Sequence, residues 1–217
     1  MTPHLKFLDR ADLSDLSAFL TRAKKLDPEG AVKLKSFGDL LGIYVSPIFS
    51  GSLLGDGPTV LGLRTLKLSA AADVDATYEI AAVLERIANL GLQDLQLSLP
   101  TSQVRTPWSG VTPPRDGWLE VAALEQDQVS AWAKAGIAEV AQALPEAVGA
   151  AISSKVRLQI WGKAVDDGLG LPGAAAFAIA GLGFMQPGEQ IRVFAAGNWL
   201  RLSTIHGHIL TKRITRD

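Results

Sequence analysis

Two imidazoles stand two residues apart in His206-Gly207-His208, and on a strand that spacing aims both side chains at one face, an arrangement that suits a metal. A catalytic zinc needs three protein ligands. The remaining histidine is the distant His4, and no carboxylate cluster lies nearby in sequence. Gly207 also fits a turn, which would splay the pair, so the motif reads as a polar hairpin tip. The chain has no cysteine, which excludes disulfides, thiolate nucleophiles and Cys-ligated clusters. Asp166-Asp167 pairs two carboxylates, but adjacent side chains diverge and a solvated turn is the plainer account. No Gly-x-Ser-x-Gly elbow is present to raise a serine nucleophile. These absences lead to an expectation of no cofactor, no metal and no catalytic residue.

Two glycine-rich stretches could cradle phosphates. Gly168-Leu169-Gly170-Leu171-Pro172-Gly173 matches G-x-G-x-x-G ahead of a helix. A dinucleotide site also needs a strand directly before it and a parallel unit after it. The preceding stretch reads instead as helix followed by the polar turn Val165-Asp166-Asp167, and Pro172 lacks the amide donor that phosphate would want. Gly51 to Gly57 lacks the Gly-Lys-Ser/Thr ending of a P-loop and reads as a turn between strands.

The segment with the best claim to a binding role is Pro100 to Gly117, which breaks all periodicity and carries four prolines. Arg105 and Trp108 lie within it, and Arg115 and Trp118 at its end. Tryptophan and arginine bury much area while keeping a polar handle, which is why they concentrate at interface hot spots. The competing account is that both indoles fold back on the core and secure a linker. Arg105, Trp108, Arg115 and Trp118 are therefore candidate binding residues.

The elements that must position them follow from hydrophobic spacing. Leu13, Leu16, Phe19, Leu20 and Ala23 predict a helix capped by Asp12, with Asp15 in its first turn, ended by Pro28 and Gly30. Ala31 to Ser36 and Leu40 to Val45 flank Gly38-Asp39 and predict a hairpin. Thr59 to Leu68 predicts a strand. Thr77 is expected to cap a helix through Ile80, Val83, Leu84 and Ile87, stopped by Gly91, and Leu95, Leu97 and Leu99 alternate as a strand. Three helices follow: one through Val129, Trp132 and Val140, one from Pro145 through Val148, Ile152 and Ile160, and one from Gly173 to Leu182. The chain closes with Ile191 to Phe194, Trp199 to Ser203 and His208 to Arg213 as a meander. A shift of 159 positions lays the first hairpin on the last, Val32 on Ile191 and Gly38-Asp39 on Gly197-Asn198, as a duplication would; hairpins with glycine turns also look alike without one.

Composition bounds the class. With 47% hydrophobic and 20% charged residues this is a folded chain, and a mean hydropathy of +0.20 points to a large core or an apolar surface covered by a second copy. A net charge of −1 without blocks of like charge disfavours nucleic acid and anionic membrane surfaces. The polar N-terminal stretch lacks a signal-peptide pattern, and the longest apolar run, Ala174 to Met185, is 12 residues. A cytoplasmic location is expected. The order of helices and hairpin from Val129 to Arg213 is that of a winged helix, but the third helix has no Arg, Lys, Asn or Gln to read bases; only Lys212, Arg213 and Arg216 form a small basic end.

Leu5-Lys6-Phe7-Leu8-Asp9-Arg10, Leu13 to Leu20, Leu26-Asp27-Pro28 and Val60-Leu61-Gly62-Leu63-Arg64-Thr65 resemble conserved proteins of unassigned function from high-GC Gram-positive bacteria. That resemblance implies a cytoplasmic bacterial protein and carries over no activity and no site. The expectation is an α+β fold of antiparallel meanders packed against helices, one compact unit with two related halves, 1–99 and 119–217, joined by the loop 100–118. The expected function is a non-enzymatic interaction or assembly protein that self-associates as a homo-oligomer and has a protein partner. The alternatives are an enzyme holding an anionic substrate under the 100–118 loop by Arg105 or Arg115, and a winged-helix nucleic-acid binder.

Overall fold

A computed structural model describes residues 3–49, 57–144 and 149–214. The glycine-rich stretch 51–57 except Gly57, the expected helix start at Pro145 and Val148, and Arg216 of the basic end lie outside the described residues. The fold is α+β, and the chain divides into two compact units. The first comprises Met1–Pro47 and Leu63–Gly110, the second Ile48–Gly62 and Val111–Asp217.

In the first unit β1 (His4–Lys6) leads into α1 (Arg10–Leu26). Leu13, Leu16, Phe19, Leu20 and Ala23 fill its buried stripe. The cap is Asp9, not Asp12: the Asp9 carboxylate accepts the Asp12 amide at 3.0 Å, which moves Asp12 into the first turn. Then come β2 (Ala31–Phe37), β3 (Leu40–Ile48), β4 (Val60–Lys67) and β5 (Asp75–Glu79). The hairpin β2–β3 pairs Leu34 with Ile43 and turns at Gly38, whose φ is 66°. Since no other residue of that turn has positive φ, it is of the II′ kind, with glycine at the first central position. Thr77 does not cap a helix. It pairs with Lys33 inside β5, and α2 (Ile80–Ala88) begins after Glu79 without a side-chain cap. Strand β6 (Gln96–Ser98) is short and pairs with β1, with Leu5 opposite Leu97 in the core. An ion pair from Arg64 to Asp15 ties β4 to α1.

Beside the end of β3 and the opening of β4, the second unit contains β7 (Leu119–Glu125), a strand that periodicity did not reveal, followed by α3 (Gln126–Ala143) and α4 (Ala150–Trp161). The stretch expected as a polar turn is instead a small antiparallel pair, β8 (Ala164–Asp166) with β9 (Leu171–Pro172). G-x-G-x-x-G is thus the turn of a hairpin, with Asp166 accepting the Leu169 amide at 2.9 Å, and has no dinucleotide geometry. Helix α5 (Gly173–Gly181) follows and is buried along almost its whole length, so it is core rather than a recognition helix. Small residues let it pack closely on α3. The meander β10 (Gln190–Ala196), β11 (Trp199–Ser203) and β12 (His208–Lys212) completes the unit, with β7 added beside β10. Val193 pairs with Leu202 as Leu34 pairs with Ile43, and Gly197 turns with φ 55°, so the two hairpins share turn geometry and register. Among the described residues no helix is long and apolar enough to cross a membrane.

Candidate functional site

The four residues singled out by sequence fall to different units. Arg105 is exposed in the first. Trp108, in the 3-10 turn Pro107–Gly110, is only 6% exposed and belongs to the core. Lys33 holds that turn by donating to the Ser109 carbonyl at 2.7 Å, and Lys33 and Lys35 together grip Asp75, whose carboxyl sits below its ordinary range because Lys35 hydrogen-bonds it. The Val104 amide donates to the Thr77 carbonyl at 2.9 Å, so the first unit's proline-rich segment shields the free side of β5.

Arg115 and Trp118 belong to the second unit, and Trp118 is part of a cluster of rings and cations. The Trp118 indole donates to the Pro114 carbonyl at 3.0 Å, which fixes the ring just before β7. The guanidinium carbon of Arg201 lies 4.8 Å from the Trp118 ring centre and 4.5 Å from that of Phe194. Arg192 approaches the same Phe194 ring at 5.0 Å. These residues share a face because Phe194 pairs with Arg201, and Arg192 with Ser203, while Ile191, Val193, Leu200 and Leu202 point into the core. Stacking on aromatic rings is favourable for a guanidinium.

The charges on this face are unequally matched. Arg192 binds Glu120 of β7 through two nitrogens, and this hydrogen bonding pulls the Glu120 carboxyl below its usual range. Arg201 has no ion pair or hydrogen bond among the described residues, and its Nε is buried without a partner. Burial, and then repulsion from Arg192, lowers its proton affinity. His208 sits beside it, its Nδ1 3.0 Å from the Ser203 hydroxyl, and burial followed by Arg201 lowers its pKa. The other ring of the motif, His206, meets Gln186 instead, so the two imidazoles serve different partners. Among the described residues no three His, Cys, Asp or Glu groups gather as a metal site would require.

At the margin of the same sheet β7 pairs only with β10 among the described residues. Leu119 is 72% exposed there and Val121 46%. A register shift between Val193 and Phe194 interrupts the pairing opposite Val121. Sequence reasoning found Trp118 and missed Arg192, Phe194 and Arg201. Their signal was the alternation of Gln190-Ile191-Arg192-Val193-Phe194, which puts charged and aromatic side chains on the face away from the core.

Residues 1–110 match the family described as Domain of unknown function (DUF8010), and residues 113–216 match Domain of unknown function (DUF8185). No curated protein matches the chain. Among solved structures, the chain is similar to one described as a DNA polymerase III beta subunit from Eubacterium rectale, with 8% identity, a TM-score of 0.58, and coverage of 99% of this chain and 65% of that one. The beta subunit from Pseudomonas aeruginosa gives 12% identity, a TM-score of 0.52 and coverage of 99% and 65%. The beta clamp of Helicobacter pylori gives 10%, 0.53, and coverage of 99% and 64%. The likeness shows a clamp-like fold, and the chain spans just under two thirds of the length of these relatives, 64–65%.

Proposed function

We propose that this chain, which belongs to the DUF8010 family, is a non-enzymatic assembly protein whose copies associate through the open edge of β7. The observation that carries the reading is a strand edge with no partner among the described residues, with exposed Leu119 and Val121 and neither lysine nor proline in its seven residues. Unpaired amides and carbonyls beside apolar side chains are a template for another strand; the charges on this edge, Glu120 and Glu125, are engaged by Arg192 and Gln190 of β10, and the bulge opposite Val121 is the irregularity a partner strand would have to accommodate. The apolar composition supports a covered surface. The similar solved structures are described as subunits of a DNA polymerase, which agrees with a chain that works as part of an assembly.

The enzyme and winged-helix readings gain nothing comparable. No cluster of three His, Cys, Asp or Glu groups gathers among the described residues, and the helix in the recognition position is core. Native mass spectrometry across a concentration series tests the proposal. The expected result is a dimer or larger closed species that Val121→Lys shifts to monomer while leaving the circular dichroism spectrum unchanged. A wild-type chain that stays monomeric at the highest concentration reached would overturn it.

A further inference from the structure

The cation between Trp118 and Phe194 has every feature of a binding group except something to bind. Arg201 and Arg192 lie on one sheet face and share the Phe194 ring, yet only Arg192 is neutralised, by Glu120. Fixing a guanidinium between two rings removes much of its rotamer freedom before any ligand arrives. Leaving a buried Nε unpaired has a free-energy cost, and of the two arginines in that state, Arg201 and Arg213, it is Arg201 that is flanked by two rings. Arg201 as a whole is half-buried, so part of its side chain meets solvent.

We infer that Arg201 is the anchor of a carboxylate-binding site on the outer face of the β10–β11–β12 meander, flanked by Trp118 and Phe194. Charge selects the ligand class. Glu120 already cancels Arg192, and burial together with Arg201 lowers the His208 pKa, which leaves Arg201 as the unmatched charge beside the two rings, with Lys212 further out on the same face. A carboxylate brings one negative charge and a planar pair of oxygens that fits a guanidinium. Phosphate near neutral pH brings more charge than the site can balance. The neighbouring Arg192–Glu120 pair displays the same recognition within the fold. The site does not depend on self-association through β7, since all its residues come from one copy.

The test follows arginine Nε–H resonances by NMR on the full chain at pH 7. The Arg201 signal is assigned by its loss in Arg201→Lys, and burial of Nε favours its detection through slow exchange. Sodium acetate is titrated against sodium chloride at matched ionic strength, with exposed Arg105 as the reference for unspecific effects. A saturable shift of Arg201 with acetate, absent with chloride, is the expected result. Arg201→Lys keeps the charge without the planar fork and should weaken acetate binding, followed on the surrounding amides, by on the order of tenfold. A second arm uses a blocked tripeptide with a central glutamate. Tighter binding of the peptide assigns the carboxylate to a protein segment, and equal binding assigns it to a free acid. No saturable response, undiminished binding by Arg201→Lys, or tighter binding of inorganic phosphate than of acetate would each overturn the inference.

Discussion

A tryptophan ring occupies the space that a side chain at Gly136 would need. A Cβ at that position would lie 2.2 Å from Cζ3 of Trp161, whose indole is buried and held against Phe177 at 4.6 Å. Alanine normally improves a helix interior by about 0.5–1 kcal/mol over glycine, whereas overpacking a filled core costs about 1–3 kcal/mol. The clash should win. Gly136→Ala is expected to lower the urea midpoint of unfolding; a rise would mean that the Trp161 ring can step aside. His208 supplies a second prediction. Its folded pKa is depressed, so the unfolded chain binds more protons than the folded one between the lowered value and the ordinary one near 6.5. The stability associated with its neutral form is therefore present above about pH 6.5 and declines as the pH falls towards the folded pKa. Thermal melts between pH 5 and pH 8 should show this slope, and His208→Gln should flatten it. At this scale the sequence exposed Trp118, because indoles in and beside a proline-rich segment without periodicity stand out. It concealed Arg201, because the partners that make it unusual come from Trp118 and from a different strand.

Elements built on local spacing were legible, and those defined by distant partners were not. Helix α1 has its full buried stripe written into five residues, and both glycine-turn hairpins carry alternation on either side of a two-residue turn. Strands β1, β5 and β7 escaped notice because each flanks a helix and owes its conformation to a strand far away in sequence. Strand β7 is the clearest case. Its Ala122-Ala123 pair carries no alternation, and a bulge in its pairing with β10 erases what the rest would show. The turns allow a test in which packing plays no part. Gly38 and Gly197 have φ of 66° and 55°, and a Cβ at either would meet nothing within 4 Å. Alanine there should cost about 1–2 kcal/mol through left-handed backbone strain alone. Denaturant titrations of Gly38→Ala and Gly197→Ala should show similar losses, as expected of two hairpins with the same turn. A neutral outcome at either site would mean that its turn relaxes to another type.

The compact units and the family matches cut the chain in different ways. The two matches are continuous and meet between 110 and 113, whereas the second unit reaches back to claim Ile48–Gly62. That borrowed stretch includes the opening of β4, which neighbours β12, and the Thr59 carbonyl accepts a hydrogen bond from the buried Thr211 hydroxyl at 3.0 Å. Gly162 also packs near Pro58. A fragment of 113–217 would expose β12 along the side that β4 covers and leave the Thr211 hydroxyl without this acceptor. The Thr211 hydroxyl would keep only the Lys212 carbonyl, at 3.2 Å, and a bared strand edge invites aggregation. That fragment is therefore expected to show poorly dispersed amide resonances or to precipitate, although it spans a complete family match. Adding a peptide of residues 48–67 should recover dispersed resonances, because it returns the missing strand. If 113–217 instead gives a sharp, native-like spectrum by itself, the β4 segment is an accessory to that unit rather than part of its core, and the family boundary marks the folding boundary as well.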